Sequence, residues 1–244
     1  MLYLAVALTI AWNDNFQKRI TGYVMDKRLS LKTDAAENRR PIASRQNRLV
    51  IGFVSFLARQ PFPTPNQISC ISILFAAIGA LALLVWPGIY GLVLCAVGIQ
   101  LRLICNLLDG MVALEGGKKT ATGEIFNEFP DRIADTLLIV ALGYAINLSW
   151  LGWLGALLAA LTAYIRVFGG SLGLPQSFRG PMAKQHRMAV FTVACLLGAI
   201  ESHLWSTQYC LILANSVIAV GSLITCYTRT KDIVTELEHR RSQA

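Results

Sequence analysis

Five polar side chains, Asn106, Asp109, Asn127, Asp131 and Asp135, flank a glycine-rich turn between two otherwise apolar stretches. Residues three and four apart share a helix face, so Asn106 and Asp109 project together from the end of one helix. Asn127, Asp131 and Asp135 do the same at the start of the next. Gly110, Gly116, Gly117 and Gly123 predict a backbone free to turn between the two helices and a close approach of one to the other. Convergent carboxylates with no opposing arginine on their face other than Arg132 suit hard divalent cations, Mg²⁺ or Mn²⁺, which in turn suit phosphate substrates. The plainer alternative is a set of helix-end acids solvated at a membrane surface.

The elements that must position these groups are membrane helices. Of the 244 residues, 55% are hydrophobic and 15% charged, with a mean hydropathy of +0.52, beyond the apolar content of a soluble globular chain. Intramembrane carboxylates are costly and mark function by default. Windows of about 20 residues give six spans, at 66–86, 90–112, 125–147, 150–170, 188–205 and 208–227. The third and fourth form one long apolar run, divided at Asn147, Leu148, Ser149 and Trp150. The expected fold is therefore all-α: a polytopic membrane protein of six transmembrane helices.

Ten of the 22 lysines and arginines lie between Lys18 and Arg59, ahead of the first span. Arg102, Lys118, Lys119 and Arg132 flank the second turn; Arg166, Arg179, Lys184 and Arg187 surround the loop between spans four and five; Arg229, Lys231, Arg240 and Arg241 follow span six. The three remaining connections carry no lysine or arginine. Because these side chains favour the cytoplasmic side, both termini and the acidic cluster are expected there, in the inner or plasma membrane if the source is bacterial. The net charge of +8 follows from this asymmetry and from attraction to anionic headgroups. No basic stripe interleaved with aromatics points to nucleic acid.

Met1 to Trp12 is apolar but too short to span, which suggests an interfacial helix. Leu49, Val50, Phe53, Phe56 and Leu57 recur at helical spacing between Arg45, Arg48 and Arg59, the pattern of an amphipathic helix lying in the headgroup plane. Pro61, Pro63 and Pro65 end it. The chain thus divides into an N-terminal cytoplasmic or interfacial segment, 1–62, a six-helix transmembrane domain, 63–230, and a cytoplasmic tail, 231–244. The six cysteines have no CxxC spacing and read as small packing residues.

The stretch Asn106-Leu-Leu-Asp109-Gly110-Met-Val-Ala113, followed by Gly123-Glu-Ile-Phe-Asn127-Glu-Phe-Pro-Asp131, resembles the signature of the CDP-alcohol phosphatidyltransferase family. That signature reads D-x-x-D-G-x-x-A-R, eight residues, then G-x-x-x-D-x-x-x-D, and the spacing agrees at every position. Thr64-Pro65-Asn66 and the six-helix layout extend the likeness more loosely over residues 40–230. Three identities depart: Asn106 and Asn127 replace the first and third aspartates, and Leu114 replaces the arginine.

In the family, the four aspartates hold two divalent ions that clamp the diphosphate of a CDP-linked lipid. The resemblance therefore implies Asp109 as a metal ligand and Asp131 as both ligand and catalytic base, with Asn106 and Asn127 at the other two ligand positions. Two amides lower the charge of that set from −4 to −2, a poor match to two ions carrying +4. One ion, or an altered site, is expected instead. Glu128 is the acid best placed to compensate, with Glu124, Asp135 and Glu115 nearby. Asp109, Gly110, Ala113 and Gly123 are the implied nucleotide contacts. Arg166, Arg179, Lys184 and Arg187 could hold a phosphate-bearing acceptor.

The implied activity is transfer of a phosphatidyl or related phospho-alcohol group from a CDP-linked donor to an alcohol, with release of CMP, in phospholipid biosynthesis. Glycerol phosphate, inositol phosphate, serine and other headgroups all remain open as acceptors. Many family members are homodimers, which the sequence neither supports nor opposes. Two other classes compete: a catalytically silent relative that binds nucleotide-lipid or a protein partner, and a small transporter. The transporter would place polar residues through the bilayer midplane, whereas here they gather at one end.

Overall fold

The computed structural model describes residues 54–57, 59, 60, 62–86, 88–118, 120 and 122–243. The interfacial helix expected over residues 1–12 and the start of the amphipathic segment at Leu49, Val50 and Phe53 lie outside the described residues. Residues 54–57 are helical, with Val54 buried and Phe56 exposed. Val54 packs with Ile68, Cys105, Met111 and Val112, and Leu57 lies against the same cluster.

Six long helices follow: α1 (Pro65–Val85), α2 (Ile89–Glu115), α3 (Gly123–Ala145), α4 (Ser149–Ser171), α5 (Lys184–Trp205) and α6 (Tyr209–Gln243). The start of α1 is written locally. Thr64 caps it and exchanges hydrogen bonds with Gln67 three residues on, while Pro65 occupies the first turn, where its missing N–H costs nothing. Gly117, at φ 61°, turns the chain after α2 in the left-handed region that glycine tolerates. Inside α3, Pro130 gives the carbonyl of Phe126 no N–H, loosening the helix one residue before Asp131.

The helices close a ring in which α1 packs on α2, α2 on α5, α5 on α6, α6 on α4, α4 on α3, and α3 back on α1. Leu83, Ile99, Leu138, Ile139, Leu142, Met188, Phe191 and Ile218 fill its interior. Leu74, Leu81, Trp153, Leu157, Leu197, Leu213 and Val220 point outward, an apolar exterior that belongs in lipid rather than water. Five of the helices are long and apolar enough to cross a membrane. The exception is α3, where Glu124, Glu128, Asp131, Arg132 and Asp135 lower the hydropathy. Its 23 residues nonetheless pack between α1 and α4 as part of the same ring.

Two boundaries differ from the hydropathy windows. Lys184 and Arg187 lie in the first turn of α5 rather than in a loop, because a window that rejects charge starts the span too late. Likewise α6 runs unbroken through residue 230 to Gln243, about 50 Å at 1.5 Å per residue, well beyond a hydrocarbon core of roughly 30 Å.

At the end of the bundle away from the carboxylates, Glu201 accepts hydrogen bonds from Thr207 Oγ1 at 2.5 Å and from the backbone N–H groups of Tyr209 and Cys210 at 2.7 and 2.8 Å. This carboxylate caps α6 from the preceding helix. There too, α3 and α4 meet through glycine: a Cβ on Gly152 would lie 2.8 Å from the Cα of Gly143. The close approach expected of the turn glycines occurs here instead. A Cβ on Gly110 or Gly117 would meet nothing within 4 Å, so those residues serve the turn and its open space rather than helix contact. Gly152→Val would overpack the hairpin, an effect of about 1–3 kcal/mol. We expect the detergent-solubilised variant to melt lower than the native protein by roughly 2–4 °C per kcal/mol, measured by thermal-shift fluorescence.

Candidate active site

Three helices deliver charge to one end of the bundle. Arg102, Asn106 and Asp109 share a face of α2; Glu128, Asp131 and Asp135 lie along α3; Lys184 and Arg187 begin α5. At the bottom, Asp135 is held between two guanidiniums. Arg102 Nη2 is 2.6 Å from its Oδ1, and Arg187 Nη2 donates to its Oδ2 at 2.9 Å. All three residues are at most 2% exposed. Arg187 also donates to the Met182 carbonyl at 2.8 Å and to Thr162 Oγ1 at 3.3 Å. Charges so deeply buried persist only when paired and hydrogen-bonded.

Asp131 forms the next layer. Its Oδ1 accepts from Asn106 Nδ2 at 2.8 Å and from Arg102 Nη2 at 3.4 Å. Its Oδ2 pairs with Lys184 Nζ, with Arg132 Nη2 at 3.8 Å. Asp109 makes no ion pair with these cations among the described residues and accepts from Ser69 Oγ of α1 and from the N–H of Gly110, both at 2.5 Å. Nearer the surface, Glu128 pairs with Arg166 of α4, with Arg132 at 3.9 Å. Arg166 also donates to Gln176 at 3.0 Å and lies over the Phe178 ring at 5.3 Å.

The sequence-derived residues thus divide. Asn106, Asp109 and Asp131 come together as expected, and Lys184 and Arg187 join them instead of forming a separate acceptor site. Asn127 is exposed. Glu128 turns to Arg166, and Arg179 reaches the other way to Asp232 on α6 at 2.9 Å, where Ser177 Oγ donates to the same carboxylate at 3.0 Å. Gly110 leaves its approach open, Ala113 is half-buried, and Gly123 lies near Thr120.

The expectation that Arg132 alone opposes the acids is corrected: Arg102, Lys184 and Arg187 also do so, Arg102 from four residues before Asn106 on the same helix face. That spacing is visible in the sequence, whereas charge counting alone places Arg102 in the membrane-flanking set. Ser69 carried no such signal, being one small polar residue in an apolar span.

These residues do not fit a clamp for two divalent ions. The side-chain amide of Asn106 presents its N–H to Asp131, and both Asp131 oxygens and both Asp135 oxygens face cations or donors. Among the described residues no group of three or more His, Cys, Asp or Glu side chains could hold a metal ion.

Removing Asp135 isolates two buried guanidiniums. We expect Asp135→Ala to destabilise the protein by about 3–5 kcal/mol, read as a lower melting temperature and a smaller monodisperse peak on size exclusion. Glu128→Ala, at the rim, should change either measure little.

No family model matches the chain. Over 195 residues it is 26% identical to a phosphatidylinositol phosphate synthase of Streptomyces avermitilis, covering 75% of this chain and 76% of that protein. Over 184 residues it is 27% identical to an uncharacterized protein of Aquifex aeolicus, covering 73% and 86%. The fold is shared with crystal structures of Mycobacterium tuberculosis phosphatidylinositol phosphate synthase. With CDP-DAG bound, the match has a TM-score of 0.64 and 20% identity over 77% of this chain and 94% of that one. In complex with manganese and citrate, the values are 0.65 and 21%, over 76% and 89%. The chain is thus a distant homologue of phosphatidylinositol phosphate synthase, itself a CDP-alcohol phosphatidyltransferase, and shares the fold of those crystal structures.

Proposed function

We propose that the protein is an integral membrane transferase that moves a phosphatidyl, or related phospho-alcohol, group from a CDP-linked donor such as CDP-diacylglycerol to an alcohol, releasing CMP. The observation that carries this reading is the pairing of Asp109 with Asp131. These aspartates, on successive helices α2 and α3, hold the second and fourth positions of the spaced motif; both are buried and near enough for their charges to act on one another, with open space at Gly110. The relatives' names and the CDP-DAG bound to one of them support the substrate class.

In this reading the nucleotide enters over Gly110, Ala113 and Gly123, where the backbone leaves space. The alcohol oxygen attacks the lipid-bearing phosphorus, the bond from that phosphorus to the CMP oxygen breaks, and CMP leaves with the electron pair. Asp131 takes the proton from the alcohol. Lys184, beside Asp131, stabilises negative charge on the phosphoryl oxygens. Arg166, at the rim beside Glu128, is assigned to an acceptor phosphate, whereas Arg179 is engaged by Asp232 and takes no part. The lysine and arginine distribution supports a site and both termini on the cytoplasmic side. The Mg²⁺ or Mn²⁺ dependence implied by the family resemblance, like the manganese in the relative's structure, lacks a matching two-ion ligand set here. No step is therefore assigned to a metal.

A catalytically silent, donor-binding form is the second reading. Asn106 and Asn127 at aspartate positions, together with the ion pairs already engaging Asp131 and Asp135, favour it. Purified protein given CDP-diacylglycerol and a panel of alcohols and alcohol phosphates should release CMP, measured by chromatography. Asp131→Asn should lower that release to background while the melting temperature stays near native. Donor binding with no CMP from any acceptor would establish the silent form, and full activity in Asp131→Asn would remove the assigned base.

A further inference from the structure

We propose that protein cations, Lys184 first and Arg102 behind it, take the place of divalent ions in holding the donor's diphosphate, so that nucleotide-lipid binding does not depend on metal. The inference rests on the proposed donor and concerns how the same site neutralises it. Charge balance is the first observation. Asp109, Asp131 and Asp135 face Arg102, Lys184 and Arg187, with Arg132 shared between Asp131 and Glu128, so the cations at least balance the acids as the group stands. Four aspartates holding two divalent ions sum to zero. Here, adding two such ions would leave an excess of about four positive charges in a buried, low-dielectric setting, a strong repulsion.

The second observation is geometric. Lys184 approaches Asp131 from α5, where the motif would otherwise rely on a bridging ion, and its side chain keeps 23% exposure, open to an incoming ligand. An ammonium supplies a compact positive charge with three donors, of which Asp131 engages one. Beneath it, Arg102 is fully buried and its Nε and Nη1 have no hydrogen-bond partner among the described residues. Buried guanidinium nitrogens without partners are costly, and a phosphate oxygen entering this layer would satisfy them. The third observation is the orientation of Asn106. With its Nδ2 donating to Asp131, the amide fixes that carboxylate toward the lysine, a task an aspartate at 106 could not perform without repelling it.

The test is the affinity of the purified protein for CDP-diacylglycerol in detergent micelles, measured by calorimetry in excess EDTA and again in millimolar Mg²⁺ or Mn²⁺. The two affinities should agree within about threefold. Lys184→Met should weaken binding in EDTA by about tenfold or more, the loss of one charge-assisted contact, whereas Lys184→Arg should stay within about threefold of native. Binding that appears only with metal, or that is unchanged in a folded Lys184→Met, would overturn the inference and leave the proposed donor standing. No binding under any condition would remove the donor reading as well. Should Lys184→Met fail to fold, the comparison of EDTA with metal on the native protein decides.

Discussion

A single buried carboxylate, Asp135, organises this end of the molecule. It lies between the guanidiniums of Arg102 and Arg187 and so ties α3 to α2 on one side and to α5 on the other. In a low-dielectric interior none of the three charges is tolerable alone. Their mutual pairing therefore fixes where three neighbouring helices of the ring must meet. Arg187 then reaches back to Met182 and Thr162, joining the start of α5 to the preceding loop and to α4.

Everything closer to the surface is arranged on that base. Asp131 stands one turn nearer the mouth, and each of its oxygens already has a partner, Asn106 on one side and Lys184 on the other. Asp109 differs, since it is satisfied by a hydroxyl and a backbone N–H and keeps its charge uncompensated by any ion pair among the described residues. Its carboxylate is therefore buried and hydrogen-bonded by neutral donors alone. Its neighbour Asp131 instead lies beside the ammonium of Lys184.

The departures from the family motif form a consistent set when placed in three dimensions. Asparagine at 106 converts a second acceptor into a donor aimed at Asp131, and asparagine at 127 lies exposed, away from the buried layers. Beside these two amides, cations reach the aspartates from α2 and α5. The fold shared with phosphatidylinositol phosphate synthase is maintained by features remote from this chemistry: the glycine contact of Gly143 with Gly152, the Glu201 cap on α6, and the apolar interior around Phe191 and Leu138.

The all-helical membrane fold was legible in the sequence because hydrophobic length and proline or glycine punctuation are local properties. Thr64 and Pro65 start α1, and Gly117 turns the chain after α2, each through interactions within a few residues. The convergence of Asp109 with Asp131 was also legible, since helical spacing places them on facing ends of consecutive helices. Partner choice was not. Lys184 lies 53 residues from Asp131, Arg187 lies 52 from Asp135 and Glu128 lies 38 from Arg166. Which carboxylate meets which cation depends on the ring order of six helices, and one-dimensional charge counting assigns such cations to membrane flanks. The sequence by itself determined the helices and the presence of an acidic cluster; tertiary structure decided its net charge, because only packing brings groups from distant helices within the few ångströms over which buried charges select their partners.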